Sequence, residues 1–451
     1  MNNSQKLSLR LCLLVAGTLF GMFFGAGNLI FPVHLGQLAG ANMWSATLGF
    51  IITAVGIPIL GVAAIGISHS DGLQALASKV GKKYGVFFTC LLYLTIGPFF
   101  AIPRCCTTSF TTGIAPMLRE GSSETLPLLL FSFVFFALVL FFSLRPAKIT
   151  VWIGKIINPV FLVFLGILVI AVCVQPGASP ARVAPAQGYE SGAFFSALIE
   201  GYGTMDAIAG LAFGIIVVNI IRQMGIESDG AVAKEVLRSG LFTGLLMAFI
   251  YILTIYMGVR SRAFFEVSQN GGIALTQISS HYLGRFGSIV LAVTITFACL
   301  KTSIGLVTSC SETFVKMFPR SLSYRGWAIL FSVFSFAVSN VGLSAIINWS
   351  LPVLMFLYPL AITLILLALA GKWFGNDRTV YVSVTVFTLI AALFDLIKTL
   401  PGNVLSALRL ESIVRLGEKI LPWFSLNLGW VIPALIGLAL GLILRRCKRQ
   451  R

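Results

Sequence analysis

Gly25-Ala26-Gly27-Asn28, with Pro32 close behind, and Glu200-Gly201-Tyr202-Gly203-Thr204-Met205-Asp206, with Gly210 close behind, each interrupt a long apolar run. Apolar segments cover 9–33, 43–67, 86–116, 126–143, 151–174, 192–221, 240–259, 286–315, 326–346, 350–370, 379–399 and 422–444. At ~20 apolar residues per membrane crossing, these lengths predict twelve transmembrane helices. The interruptions fall in the first and the sixth, five segments apart. Gly- or Pro-broken spans in matching places of two halves point to a transporter binding site. The reason is hydrogen bonding. A broken helix strands N–H and C=O groups, each costing several kcal/mol in hydrocarbon, so a break persists only against protein, water or a ligand. The N-terminal end of a half-helix offers N–H groups and partial positive charge to a carboxylate. The C-terminal end of the other half offers carbonyls to a cation. A zwitterionic amino acid with a small cation fits that pair of ends. A glycine in a membrane helix also serves plain close packing, but two breaks in register favour binding.

Composition agrees with a polytopic membrane protein. The 451 residues are 57% hydrophobic and 10% charged, with a mean hydropathy of +0.96. A soluble domain carries about 25% charged residues. The net charge of +17 does not mark a nucleic-acid surface, because the basic residues lie between apolar segments. With the N-terminus inside, 21 Lys and Arg fall on the inner side, 9 on the outer side, and Arg104 and Lys301 within spans. That bias predicts both termini in the cytoplasm. Apolar character runs from Leu9 past Phe31-Pro32, too far for a signal peptide, so an uncleaved first helix is expected. The eight Cys show no metal spacing, and His34, His69 and His281 are scattered. No Gly-x-x-x-x-Gly-Lys-Ser/Thr phosphate loop occurs, so ATP is not expected as direct driver.

Four stretches resemble a known family. They are Gly17-Thr-Leu-Phe-Gly-Met-Phe-Phe-Gly-Ala-Gly-Asn-Leu-Ile-Phe-Pro32, Glu200-Gly-Tyr-Gly-Thr-Met-Asp-Ala-Ile-Ala-Gly-Leu-Ala-Phe-Gly214, Ala298-Cys-Leu-Lys-Thr-Ser-Ile-Gly-Leu-Val-Thr308, and Asn348-Trp-Ser-Leu-Pro-Val-Leu354 with Tyr358-Pro359. They look like the bacterial branched-chain amino acid:cation symporters, the BrnQ or LIVCS family, and the resemblance spans the chain. It implies the LeuT-type fold: one transport domain over 1–451, with inverted repeats of five helices (9–174 and 192–370) and two accessory helices (379–444). It further implies inward transport of leucine, isoleucine and valine with a cation, across the bacterial cytoplasmic (inner) membrane.

The resemblance also implies roles. Gly25, Ala26 and Gly27 would bind the substrate carboxylate through backbone N–H groups, beside Tyr202, Gly203 and Thr204. Asn28 and Thr204 would ligate a first cation. A second cation site would use the carbonyls of Gly21 and Phe24 with Ala298 and the hydroxyl positions that fall on Lys301 and Thr302. Here the chain departs from the pattern, since an ammonium has donors only and cannot ligate sodium. Three roles for Lys301 stay open. It can replace sodium as a tethered charge, making transport proton-coupled or uncoupled; it can lie off the site; or it can pair with an acid such as Asp206. Positions 298, 301, 302 and 305 share one helix face. Thr302 and Ser303 can also simply bond their own helix carbonyls.

Arg104 is either a gate or cavity-lining charge, or an outer-end residue that snorkels. Glu200 and Asp206 can hold the substrate amine, pair with Lys301 or steady the break. Asp395 is expected at the interface, paired with Lys398. An apolar pocket wall is expected from Phe99, Phe100, Ile102 and Phe213. The expected ligands are an amino acid and a sodium ion or proton, with no other cofactor or metal, no nucleic acid and no obligatory protein partner beyond the bilayer. A cation-independent transporter or a channel-like protein is the alternative. An enzyme is not expected, for no acid–base pair or nucleophile with a base lies at membrane depth.

Overall fold

The computed structural model describes residues 6–68, 70–118, 123–144 and 162–449, and these form helices and loops without a strand. His69, Arg119, Arg145, Lys148, Lys155, Arg451 and the first part of the fifth apolar segment (151–161) lie outside the described residues.

The first apolar segment divides into α1 (Leu9–Phe23) and α2 (Gly27–Ala39). The second is α3 (Met43–Ile51) and α4 (Ile57–Ile67), joined by a π-helical turn over Ile52–Gly56. A short α5 (Leu73–Ala77) leads to α6 (Lys82–Leu94) and α7 (Ala101–Gly113), joined by a second π turn over Thr95–Phe99. Then come α8 (Thr125–Ser143) and α9 (Leu162–Val174). The sixth segment divides into α10 (Ala193–Glu200), a 3-10 turn over Gly201–Thr204, and α11 (Asp206–Gln223). The chain continues through α12 (Asp229–Ser261), α13 (Gly271–Met317), α14 (Tyr324–Ser339), α15 (Leu343–Ala370) and α16 (Arg378–Lys398). Short α17 (Gly402–Ala407) and α18 (Glu411–Ile420) precede α19 (Val431–Arg449).

Both predicted interruptions are real breaks. Several predicted boundaries move (the seventh segment starts at Asp229 and the tenth at Leu343), and three of the shifts have a local reason. The eighth segment starts at Gly271, but Gly284 at φ +62° bends α13 there, so 271–283 runs separately from 285–317. The ninth stops at Ser339 because Gly342 turns at φ +87°, a left-handed conformation that glycine takes without steric cost. The twelfth starts only at Val431, since Trp423 and Asn427 adopt left-handed φ on either side of a 3-10 turn. Asp377 caps α16 by accepting the Thr379 N–H at 2.8 Å, which holds its carboxyl below the usual range.

Eight helices among the described residues are long and apolar enough to cross a membrane, and α1, α9 and α14 are shorter apolar helices. Leu126, Leu130, Phe133, Leu241, Leu245 and Phe249 are exposed on the outside of the bundle. A water-soluble monomer does not present such a surface; lipid covers it, and the chain is a multi-pass membrane protein.

α2 packs closely on α12, α11 on α4 and α10 on α3, which joins the first, second, sixth and seventh segments into one bundle. These contacts are backbone on backbone. A Cβ on Gly36 would lie 2.0 Å from the Ile255 carbonyl oxygen, and one on Gly258 2.0 Å from that of Val33. One on Gly210 would lie 2.4 Å from the Pro58 carbonyl oxygen. Small residues let membrane helices approach this closely. Gly17, by contrast, has no atom within 4 Å of a built Cβ. Gly258→Ala is therefore expected to destabilise by about 1–3 kcal/mol through overpacking, and Gly17→Ala to be neutral or slightly stabilising. Thermal midpoints of the detergent-solubilised variants, read by size-exclusion, check this; equal midpoints would refute the backbone-contact reading.

Candidate functional site

The first break opens where Phe24 leaves the helix at φ −72°, ψ 100°. Gly25 and Gly27 flank Ala26 there, and glycine in a helix interior costs ~1 kcal/mol relative to alanine. Asn28 then offers the backbone a different partner: its Oδ1 accepts the Gly25 N–H at 2.9 Å. Its Nδ2 donates to Asp206 Oδ2 and, at 2.6 Å, to the Tyr251 hydroxyl. Tyr251, on α12, in turn donates to Asp206 Oδ2 at 3.3 Å. One buried triad therefore ties the first break to the start of α11 and to the seventh segment.

The second break is a carbonyl problem. The last carbonyls of a helix have no partner inside it, and α10 ends in apolar surroundings. Thr53, from the π turn of the second segment, donates to the Leu198 carbonyl oxygen at 2.7 Å. Thr204 Oγ1 donates to Gly201 O at 2.9 Å and accepts the Asp206 N–H at 3.3 Å. Arg104 donates through Nη1 to Gly203 O and through Nη2 to Thr204 O. Met205 sits at φ +65°, buried, and turns the chain into α11; for a residue with a Cβ this conformation costs ~1–2 kcal/mol. The two glycines are needed for closeness. A Cβ on Gly201 would lie 2.1 Å from Thr53 Oγ1, and one on Gly203 2.4 Å from the Phe31 ring.

Both breaks face a narrow buried cavity. Its wall includes Gly25, Ala26, Gly27, Asn28, Arg104, Thr204, Asp206 and Thr302, with Phe23, Ile96, Ala101, Met205, Phe213 and Leu306 as apolar surface. Seven of the predicted site residues, Gly25, Ala26, Gly27, Asn28, Thr204, Asp206 and Thr302, thus line one cavity. Lys301 donates from Nζ to the Gly21 carbonyl oxygen at 3.3 Å, so it and Thr302 face the first break from α13. Ala298 is half-buried on the same helix and Phe24 is buried in the break. Arg104 is only 4% exposed and does not snorkel.

Other residues go elsewhere. Phe99 turns onto Phe334 of α14, ring centroids 5.3 Å apart, and Ile102 is fully buried away from the cavity wall. Tyr202 stacks on Tyr358 with centroids 4.0 Å apart. Glu200 and Gly203 line a second cavity with His34, Phe31 and Asn348. Asp206 bonds Asn28 and Tyr251, and Lys301 bonds the Gly21 carbonyl. Asp395 is fully buried and forms no hydrogen bond with Lys398; neither carboxylate oxygen has a partner among the described residues. Lys398 instead donates to Phe424 O, Ser425 O and Asn427 Oδ1. Sequence reasoning missed Tyr251 and Thr53; a Tyr and a Thr inside otherwise apolar runs were the signals.

A family model described as branched-chain amino acid transport protein matches residues 9–448. The chain is 48% identical over 432 residues to the branched-chain amino acid permease BrnQ of Lactobacillus delbrueckii subsp. lactis, covering 96% of each protein. It is 41% identical over 441 residues to BrnQ of Bacillus subtilis, covering 98% of each. The fold is similar to that of Mhp1, a nucleobase-cation-symport-1 family transporter solved closed with bromovinylhydantoin bound; the TM-score is 0.61 at 15% identity, over 96% of this chain and 92% of that one. That likeness bears on the fold alone, and the fold is the LeuT-type one. With the family model spanning nearly its whole length, the chain belongs to the branched-chain amino acid transport protein family.

Proposed function

We propose that this protein imports leucine, isoleucine and valine across a bacterial cytoplasmic membrane by alternating access, coupled to a cation gradient. The observation that carries the reading is the convergence of two half-helix breaks on one buried cavity. In this reading there are twelve crossings in two inverted repeats (9–174 and 192–370) with accessory helices at 379–444, and both termini are cytoplasmic. Gly25, Ala26 and Gly27 take the substrate carboxylate through backbone N–H groups. Thr204 lies on the wall, with Gly203 and Tyr202 behind it supporting the break, and Phe213, Ile96 and Ala101 meet the aliphatic side chain. Phe99 and Ile102 act behind that wall, through packing.

Coupling turns on Lys301. Gly21, Phe24, Ala298 and Thr302 are the groups expected around a second cation, and the Lys301 ammonium bonds one of them, Gly21 O. We therefore favour Lys301 as a tethered cation in place of sodium, with a proton as the coupling ion. Asn28, Thr204 and Asp206, already bonded to one another's neighbourhood through Tyr251 and Gly25, form the polar centre that a first cation or the substrate amine would enter. The activity expected is translocation, without chemical change to the substrate.

Purified protein in liposomes should take up radiolabelled leucine saturably, with isoleucine and valine competing at similar concentrations, because one methylene in an apolar pocket discriminates by only ~1–3 kcal/mol. Unsaturable flux, or none above empty liposomes, would sink the transporter reading. With gradients imposed separately, an inward proton gradient should drive wild-type uptake and sodium should not, while Lys301→Thr should gain sodium dependence. Full sodium drive in the wild type would remove Lys301 from the coupling site. Asn28→Ala removes three hydrogen bonds, two within the triad and one to the Gly25 N–H, and leaves buried polar groups unpaired at ~1–3 kcal/mol each. Uptake should fall at least about tenfold at equal protein in the membrane; an unchanged rate would argue that the triad is idle.

A further inference from the structure

Arg104 and Asp206 are buried charges of opposite sign, 4% and 3% exposed, on the wall of the same cavity. They do not form an ion pair with each other. Arg104 spends its donors on two neutral carbonyls, Gly203 O and Thr204 O, and its Nε–H has no partner among the described residues. Asp206 is held by a neutral amide and a neutral phenol, Asn28 and Tyr251. Buried charges are normally paired with a countercharge, because desolvation costs several kcal/mol per ion. Two opposite charges that face one cavity and pair with dipoles instead are complementary to a guest that carries both signs.

We propose that Arg104 receives the carboxylate of the amino acid and Asp206 its ammonium, so that the zwitterion completes the charge pairing of the site. This rests on the reading of the protein as an amino acid transporter. The polarity is set by the first break. The guanidinium packs against Gly27, where a Cβ would lie 2.8 Å from Nη2, at the N-terminal end of α2. The fixed charge and the positive end of the half-helix therefore favour an anion at one place. Asp206 opens α11 on the wall of the same cavity, bonded to Asn28 and Tyr251, and presents the opposite sign. Phe213, on that same helix, and Ile96 and Ala101 remain for the aliphatic side chain. Arg104 is then both a specificity residue and a link, because its other donors hold the second break. The guanidinium that would meet the carboxylate is the same rigid plane that holds the unwound carbonyls of Gly203 and Thr204.

Whether Arg104 only caps the break is separable by ligand selectivity. Leucinamide lacks the carboxylate charge and 4-methylpentanoate lacks the ammonium. Affinities of leucine and both analogues would be measured on the full-length protein in nanodiscs by ligand-induced thermal stabilisation, which reports binding to the folded state even when weak. Wild type should prefer leucine to either analogue by about 100-fold, the scale of a lost buried charge-assisted bond. Arg104→Gln should weaken leucine by about 30-fold or more and leucinamide by less than about threefold. Asp206→Asn should do the same to leucine while sparing 4-methylpentanoate. Parallel losses for leucine and leucinamide in Arg104→Gln would overturn the assignment and leave Arg104 a cap. If Arg104→Gln does not fold, Arg104→Lys decides. It keeps the charge and should keep at least a tenfold preference for leucine over leucinamide, and a preference near unity would overturn the proposal. A wild-type protein that binds no leucine would defeat the transporter reading itself, a different result from parallel losses.

Discussion

Everything near the site follows from one constraint: a helix broken in hydrocarbon must have its freed carbonyls and N–H groups satisfied by something other than water. At the second break the partners come from three places in the sequence. Thr53 takes the Leu198 carbonyl, Thr204 takes Gly201, and Arg104 takes Gly203 and Thr204. At the first break Asn28 does the corresponding work for the Gly25 N–H. The glycines follow from the same constraint. Gly201 and Gly203 let Thr53 and Phe31 come close enough, and Gly27 leaves room for the guanidinium. The breaks are thus held open by side chains of the broken segments themselves, Asn28 and Thr204, and of other helices, Thr53 and Arg104.

The π turns of the second and third segments serve the same end. Each inserts a wider turn into an apolar helix and shifts the faces beyond it. Thr53 lies within the first, which puts its hydroxyl against the end of α10. Gly97, at φ −100° and ψ −123°, and Pro98 lie within the second. Beyond that kink Arg104 faces inward rather than toward lipid. Phe99, inside that turn, and Ile102, just beyond it, do not reach the cavity wall.

That difference shows what a single sequence carries. The two breaks, their partner residues Asn28, Thr204 and Asp206, and the inward face of Lys301 and Thr302 were legible, because local composition and helical phase encode them. The direction of Phe99 and Ile102 was not, because a π turn resets phase and has no strong local signature. Tyr251 was not, because its bond to Asn28 joins residues 223 apart in sequence. Asp395 was misread for a third reason. Its neighbour Lys398 is in reach by helical spacing, but the loop carbonyls of Phe424 and Ser425 offer that ammonium denser acceptors, and Asp395 is left inside.

The two halves of the first segment are held unequally, and this bears on the proposed mechanism. The α2 half is locked: Gly36 and Gly258 bring α2 against α12, and a Cβ on Gly271 would lie 1.8 Å from the Ile30 carbonyl oxygen. The α1 half is held by side chains instead: Thr243 of α12 donates to the Ala16 carbonyl oxygen at 2.9 Å, and Lys301 reaches from α13 to the Gly21 carbonyl. Alternating access needs one half-helix to keep its neighbours while the other changes them. Backbone contact at glycines tolerates no sliding, since even a methyl group would not fit, so α2 and α12 must move as one body. A single long side chain on a carbonyl is a contact that can be released. In the proposed cycle the break therefore acts as the hinge between a half in backbone contact with its bundle and a half held through side-chain contacts, the Lys301 ammonium on Gly21 among them.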